Sequence, residues 1–178
     1  MPDIRDRVEE DRGLIKRIQM HIPGYAGYRR REDLRAADKL LRIQLADKLT
    51  AIRRDVENIR GFMTRNYMKD NIEQLGNLIL SFQEVEGKLR FSAGGYSGIS
   101  ADIRIEENEL ERLYEFDYTM VTALDALTQA VPPIDAAVKA KDKNGAATGI
   151  ETARENLDKL NGAFKQRLQV ITGTEVVK

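Results

Sequence analysis

Apolar residues recur every three or four positions over two long proline-free stretches, and this spacing constrains the fold more than any other feature of the sequence. The stretches are Arg31 to Asn66 and Met68 to Phe91, and they meet at a short polar join around Asn66. The alternating steps match one buried seam of an α-helix, and the short join favours an antiparallel pair. In the first stretch the apolar positions are Leu34, Leu41, Leu45, Leu49, Ile52, Val56, Ile59 and Met63.

The rest of the chain shows the same helical spacing, broken at glycines and prolines. We expect Pro132-Pro133 to end the fourth helix, because proline removes a backbone donor. The sequence thus predicts an all-α fold in a single domain, residues 1–178: an antiparallel bundle of four long helices, an extra N-terminal helix docked on it and a short connecting helix. The other predicted helices are Pro2 to His21, Glu106 to Val131, the short Ile134 to Lys141 ending near Asn144-Gly145, and Ile150 to Ile171.

Composition argues against several classes of function. Acidic and basic residues balance at 29 each, so net charge gives no reason to expect nucleic acid or a membrane surface. There is no cysteine and only one histidine, His21, which leaves no basis for a thiolate metal site, a di-iron site or a catalytic triad. No apolar run approaches the roughly 20 residues that span a bilayer. We therefore expect a cytoplasmic protein without a cofactor or a bound metal.

The pattern Gly-Tyr-x-Gly occurs twice, at residues 24–27 and 95–98, in the two clearest breaks of the helical pattern. If the two long stretches form a hairpin, both loops lie at the same end of the molecule, which we call the near end. The fourth helix also starts there. Neither loop matches a dinucleotide-binding fingerprint or a P-loop. The convergence makes the near end the best candidate for a site.

Charge supports this convergence. Residues 29–60 contain ten basic and six acidic side chains, whereas residues 102–117 contain seven acidic and two basic ones. Arg29, Arg30 and Arg31 stand at a helix start, where the helix dipole disfavours cations. A negative group should therefore lie near them.

Two interpretations of the near end stay open. In the first, acidic residues of the neighbouring segment pair with the arginines, and the tyrosines Tyr25, Tyr28 and Tyr96 cap the bundle. In the second, residues 22–31 and 92–107 hold a small anionic ligand, such as a phosphate or a carboxylate.

Asp117 is the most unusual single residue, because it occupies an otherwise apolar stripe between Leu113 and Val121. A buried carboxylate has to be paired or protonated. We expect an ion pair with an arginine of the second helix. A catalytic carboxylate is the alternative interpretation.

Two blocks of the sequence have a recognisable form. Residues Ile22 to Arg42 read IPGYxGY…RExxRxADKxLR, and residues Gly95 to Asp117 read GYxG…LxRLYEFD. These blocks resemble signatures of an uncharacterised prokaryotic family of all-helical proteins. The resemblance implies kinship and no particular chemistry.

The sequence favours a non-enzymatic interaction or scaffold protein that has a protein partner or self-associates. The alternative function is binding of a small anionic ligand at the near end, through Tyr25, Tyr28, Arg29, Arg30, Arg31, Tyr96 and Asp117.

Overall fold

The computed structural model describes residues 4–27, 31–92 and 107–172. Within these ranges the chain forms helices and no strand, which confirms the predicted all-α class. The helices are α1 (Ile4–His21), α2 (Arg31–Arg65), α3 (Ile72–Phe91), α4 (Glu107–Lys139) and α5 (Lys143–Thr172).

The apolar stripes of α2 and α3 form one side of the core. Leu41, Leu45 and Leu49 of α2 have no exposed surface, and neither has Phe82 of α3. Burying each such side chain contributes about 1.5–3 kcal/mol relative to leaving it in water. Contacts between early α2 and late α3, and between late α2 and early α3, show that the two helices run antiparallel, as predicted. These contacts are Arg42 Nη1 to the carbonyl of Leu89 at 2.7 Å and Arg60 Nε to the carbonyl of Ile72 at 3.3 Å.

The predicted end of the fourth helix at the proline pair is wrong. Pro132 and Pro133 lie inside α4, which continues to Lys139, so the expected short connecting helix is part of α4. The prolines remove the donors that the carbonyls of Thr128 and Gln129 would otherwise receive. Both prolines and both of those residues are exposed, so water can satisfy the freed carbonyls.

Burial on the opposite face keeps α4 helical through the prolines. Leu127, Val131, Ile134 and Val138 are all buried, and their spacing continues the stripe without a change of phase. Packing of this face therefore outweighs the cost of two proline positions. The unbroken spacing across residues 132 and 133 is the sequence signal that the prolines obscured.

The turn from α4 to α5 ends one helix and starts the next within residues 140–142. The amide of Lys141 donates to the carbonyl of Val138 at 3.0 Å, and that of Asp142 to Ala137 at 2.8 Å. This is a Schellman motif, with Lys141 left-handed at φ 58°. The Asp142 carboxylate then caps α5 by accepting from the amide of Gly145 at 2.9 Å. Asn144-Gly145, predicted as a stop, instead lies in the first turn of α5.

The helices pack as two hairpins, α2 with α3 and α4 with α5, and further contacts join α2 to α4 and α3 to α5. The helices are antiparallel within each hairpin, whereas neighbours from different hairpins run in the same direction. The end of α2 at Met63 and the end of α4 at Val138 share one cavity. Similarly, Asp70 just before α3 lies 3.4 Å from Lys143 at the start of α5.

Helix α1 docks on α4, as the sequence predicted for the N-terminal segment. Ile18 is fully buried in this contact. His21 Nδ1 lies 3.1 Å from an oxygen of Asp125, and the Arg17 guanidinium lies 5.8 Å from the ring centre of Tyr118. None of the helices in the described ranges combines the length and the apolar character needed to cross a bilayer.

Two glycines of α5 allow a matched test of helix packing. A Cβ on Gly149 would stand 2.8 Å from Cγ1 of Ile134, whereas a Cβ on Gly162 would meet no atom within 4 Å. Gly162→Ala should stabilise the protein by about 0.5–1 kcal/mol through helix propensity. Gly149→Ala should instead lose about 1–2 kcal/mol, because overpacking outweighs the same propensity gain. Urea unfolding followed by circular dichroism measures both, and equal shifts in the two variants would contradict this prediction.

Candidate functional site

The first glycine-tyrosine loop folds onto α4. Gly24 and Gly27 adopt left-handed backbone angles, φ 84° and 74°, which glycine takes without steric cost. They turn the chain so that Tyr25 points inward and becomes almost wholly buried. Its hydroxyl donates to Oδ2 of Asp117 at 2.6 Å, across 92 residues of sequence. Two of the predicted site residues therefore meet directly.

Asp117 belongs to a chain of buried charges. The Arg167 guanidinium donates through Nε to Oδ1 of Asp117 at 2.5 Å and through Nη1 to Oδ1 of Asp38. Asp38, Asp117 and Arg167 have no exposed surface. Arg42 completes the chain, because its Nε donates to Oδ2 of Asp38 at 2.7 Å. We call these five side chains, Tyr25, Asp38, Arg42, Asp117 and Arg167, the buried network.

The charges of the buried network alternate and cancel. Two guanidinium groups lie next to two carboxylates, and each carboxylate accepts hydrogen bonds on both of its oxygens. A buried ion pair is tolerated only when such bonds replace the lost hydration. The second nitrogen of Arg42 reaches the carbonyl of Leu89, so the end of α3 also joins the near end.

The described ion pair of Asp117 is with Arg167 of α5, which the sequence did not predict. The predicted partner, an arginine of the second helix, stays a prediction, because the side chains of Arg31 and Arg35 lie outside the description. Arg42 of α2 is joined to this pair through Asp38. The sequence does contain a signal that Arg167 is buried. Arg167 stands on the stripe of Phe164 and Ile171, in the way Asp117 stands on its own stripe.

The position of Asp117 does not support a catalytic role. A general acid or base has to come within hydrogen-bonding distance of the substrate. The Asp117 side chain has no exposed surface, and both of its oxygens are already bonded within the protein. The geometry instead fits a structural carboxylate.

The other predicted site residues are not tested by the structure. Tyr28, Arg29, Arg30 and Tyr96 lie outside the described residues, as does the second glycine-tyrosine loop. Arg31 begins α2, but its side chain is likewise outside the description. Anion binding at the near end therefore stays a prediction. The cations described there, Arg42 and Arg167, are both paired with acids of the protein itself.

A second polar cluster ties the middle of α2 to α3. The Nε of Arg53 donates to Oε1 of Glu86 at 2.8 Å, and the Thr50 hydroxyl donates to Oε2 of the same carboxylate at 3.0 Å. The hydrogen bond to Glu86 raises the pKa of Arg53, against the opposing effect of desolvation, and Glu57 adds a smaller contribution in the same direction. This cluster stabilises the α2–α3 hairpin, and its polar groups bond to one another.

Two surface cavities lie away from the buried network. One, of about 350 Å³, lies where the α2–α3 and α4–α5 turns meet. This end of the molecule is opposite the near end, and we call it the far end. The other, of about 520 Å³, opens between α2 and α4 beside Phe62 and Pro132. Among the described residues, no three His, Asp or Glu side chains are grouped so that they could share a metal ion.

Comparison of the chain with protein-family models, with curated proteins and with solved structures finds no match. The resemblance to a prokaryotic helical family stays a prediction.

The hydroxyl of Tyr25 provides the first test of the buried network. Tyr25→Phe keeps the ring and removes one hydrogen bond to a buried carboxylate, which should cost about 1.5–3 kcal/mol of unfolding free energy. Tyr118→Phe is the control, because that half-buried hydroxyl makes no hydrogen bond among the described residues. Chemical denaturation measures both variants, and similar losses would contradict the assignment.

Removing Arg167, the cation that Asp38 and Asp117 share, should lower the unfolding free energy by more than Tyr25→Phe does. Arg167→Met leaves Asp38 and Asp117 buried without the guanidinium between them, which should cost about 3–5 kcal/mol. Lys159→Met, at an exposed position of the same helix, should change stability by less than about 0.5 kcal/mol. The unfolding midpoint in urea measures the difference. A loss below about 1 kcal/mol for Arg167→Met would show that the network contributes little.

Proposed function

We propose that the protein is a non-enzymatic helical interaction protein, and that the outer face of α3 binds a second copy of the chain. In this proposal α2 to α5 form one bundle with α1 docked on it. The observation that carries the proposal is a pair of large apolar side chains that α3 turns away from its own core. Leu80 is 63% exposed and Phe91 is 83% exposed.

The two side chains share one face of the helix. At about 100° per residue, positions 80, 84, 87 and 91 fall within a sector of roughly 60°. Leu80 and Phe91 therefore lie about 16 Å apart along one line. Gly87 lies between them, and a Cβ there would meet no atom within 4 Å. The face thus has an apolar group at each end and room for close approach at its centre.

Charge on this face is self-complementary. Lys88 Nζ lies 2.5 Å from an oxygen of Glu84, and this hydrogen bond is the main cause of the lowered pKa of Glu84. If two α3 helices pack antiparallel about a two-fold axis near residue 86, Leu80 of each copy lies close to Phe91 of the other. Glu84 then faces Lys88 across the axis. The same patch therefore matches itself, as a two-fold interface requires.

The free energy of apolar burial, set against the cost of association, predicts a modest affinity of the two copies for each other. Two leucines and two phenylalanines would be buried, at about 1.5–3 kcal/mol each when burial is complete. The loss of translational and rotational freedom opposes this by about 4–15 kcal/mol. Association should therefore be weak and reversible, and the Glu84–Lys88 contacts should affect which partner is accepted more than the total affinity.

Sedimentation velocity over a range of protein concentrations tests the proposal. We expect a species of twice the chain mass that grows with concentration. Phe91→Glu should abolish it by placing a charge at the apolar contact. Met20→Glu is the matched control, because Met20 is 73% exposed but lies on α1. A single species of chain mass at every concentration would overturn the proposal, as would equal effects of the two substitutions.

A charge-reversal experiment identifies the face itself. Glu84→Lys and Lys88→Glu should each weaken association of the variant with itself, because like charges then face each other. An equimolar mixture of the two variants should associate again, since every pair across the axis is then of opposite sign. Failure of the mixture to recover would show that another surface, or another protein, is the partner.

A further inference from the structure

Among the described residues, backbone strain is concentrated around one cavity. In the described ranges, three residues other than glycine have positive φ: Tyr67 at 55°, Asn71 at 63° and Lys141 at 58°. All three line the far-end cavity of about 350 Å³. A left-handed backbone costs roughly 1–2 kcal/mol for a residue with a side chain, and sites that bind ligands often contain such residues.

Tyr67 is the most unusual of the three. It follows the last turn of α2 in a Schellman motif, in which its amide donates to Thr64 and that of Met68 donates to Met63. Glycine is the common residue at this position. Here a tyrosine occupies it, and its side chain is 91% exposed. The chain therefore holds an aromatic ring at the rim of the cavity with little packing to stabilise it there.

The lining combines an apolar floor with a cationic rim. Met63, Val138 and Ala146 are buried and form the floor. The rim has three lysines and two aspartates, which gives it a net charge of +1. Asp142 accepts from the amide of Gly145 at 2.9 Å, and Asp70 lies 3.4 Å from Lys143.

Two of the three rim lysines have no acidic partner among the described residues. Within the described part of the chain, neither Lys69 nor Lys141 makes an ion pair. An apolar floor, an exposed aromatic ring and unpaired cations are complementary to an anion that carries an apolar body. The volume of the cavity lies within the range of small-ligand sites, about 300–1,000 Å³.

We propose that the far-end cavity binds a small aromatic carboxylate. The apolar body rests on Met63 and Val138 with Tyr67 stacked over it, and the carboxylate pairs with Lys141 and Lys69. This site is separate from the near end and from the outer face of α3.

The fluorescent probe 2-naphthoate tests the proposal, with 2-naphthylmethylammonium as a probe of the same body and opposite charge. We expect saturable binding of the carboxylate that is about tenfold or more tighter than binding of the ammonium compound, since about 1.4 kcal/mol corresponds to each factor of ten. Equal binding of the two probes, or no binding of 2-naphthoate at millimolar concentration, would overturn the proposal.

Two glycine substitutions separate binding from folding. Tyr67→Gly and Lys141→Gly each relieve a left-handed residue, so both variants should be at least as stable as the parent. Each should nevertheless weaken 2-naphthoate binding by about fivefold or more, whereas Lys159→Ala on the exposed face of α5 should not. Unchanged binding in both glycine variants would overturn the proposal, and so would a loss of stability in both.

Discussion

The alternating chain of Arg42, Asp38, Arg167, Asp117 and Tyr25 is the interaction on which the rest of the structure depends. Its bonds join α2, α4, α5 and the first loop, and further bonds bring in α3 at Leu89 and α1, whose Gln19 donates to the carbonyl of Tyr25 at 2.7 Å. Apolar stripes that repeat every seven residues tolerate a slip of one repeat at modest cost. A slip here would leave a charge buried without its partner, at a cost of several kcal/mol. We infer that the buried network fixes the register of the helices.

The two ends of the molecule satisfy their polar groups differently. At the near end, the described carboxylates and guanidinium groups of the buried network are paired within the protein, and Tyr25 is bonded to one of them. At the far end, left-handed residues surround a cavity, and an aromatic ring extends into solvent. Binding needs groups that the fold has not already used, so the described residues favour the far end over the near end as a place for a ligand.

The spacing of apolar residues predicted most of the helices, because it reports which side chains are buried. The prediction failed at the end of the fourth helix, where the rule for proline was given more weight than the spacing. The stripe through Leu127, Val131 and Ile134 continues across the prolines, but the rule that proline ends a helix set the boundary at Val131. Arg167 was missed for a related reason: it is buried on the stripe of Phe164 and Ile171, where a search for apolar residues alone does not find it. Asp117 was found because a lone carboxylate on a stripe stands out. Its pairing with Arg167 was not predicted, since sequence spacing does not show which helices lie side by side.

Three exposed side chains, Leu80, Phe91 and Tyr67, add little to the stability of the isolated chain. Leu80 and Phe91 leave apolar surface in water, and Tyr67 adds backbone strain to such exposure. A polar residue at 80 or 91, or a glycine at 67, would suit the isolated chain better. Contacts with a second copy on α3, or with a ligand at the far end, would offset their cost.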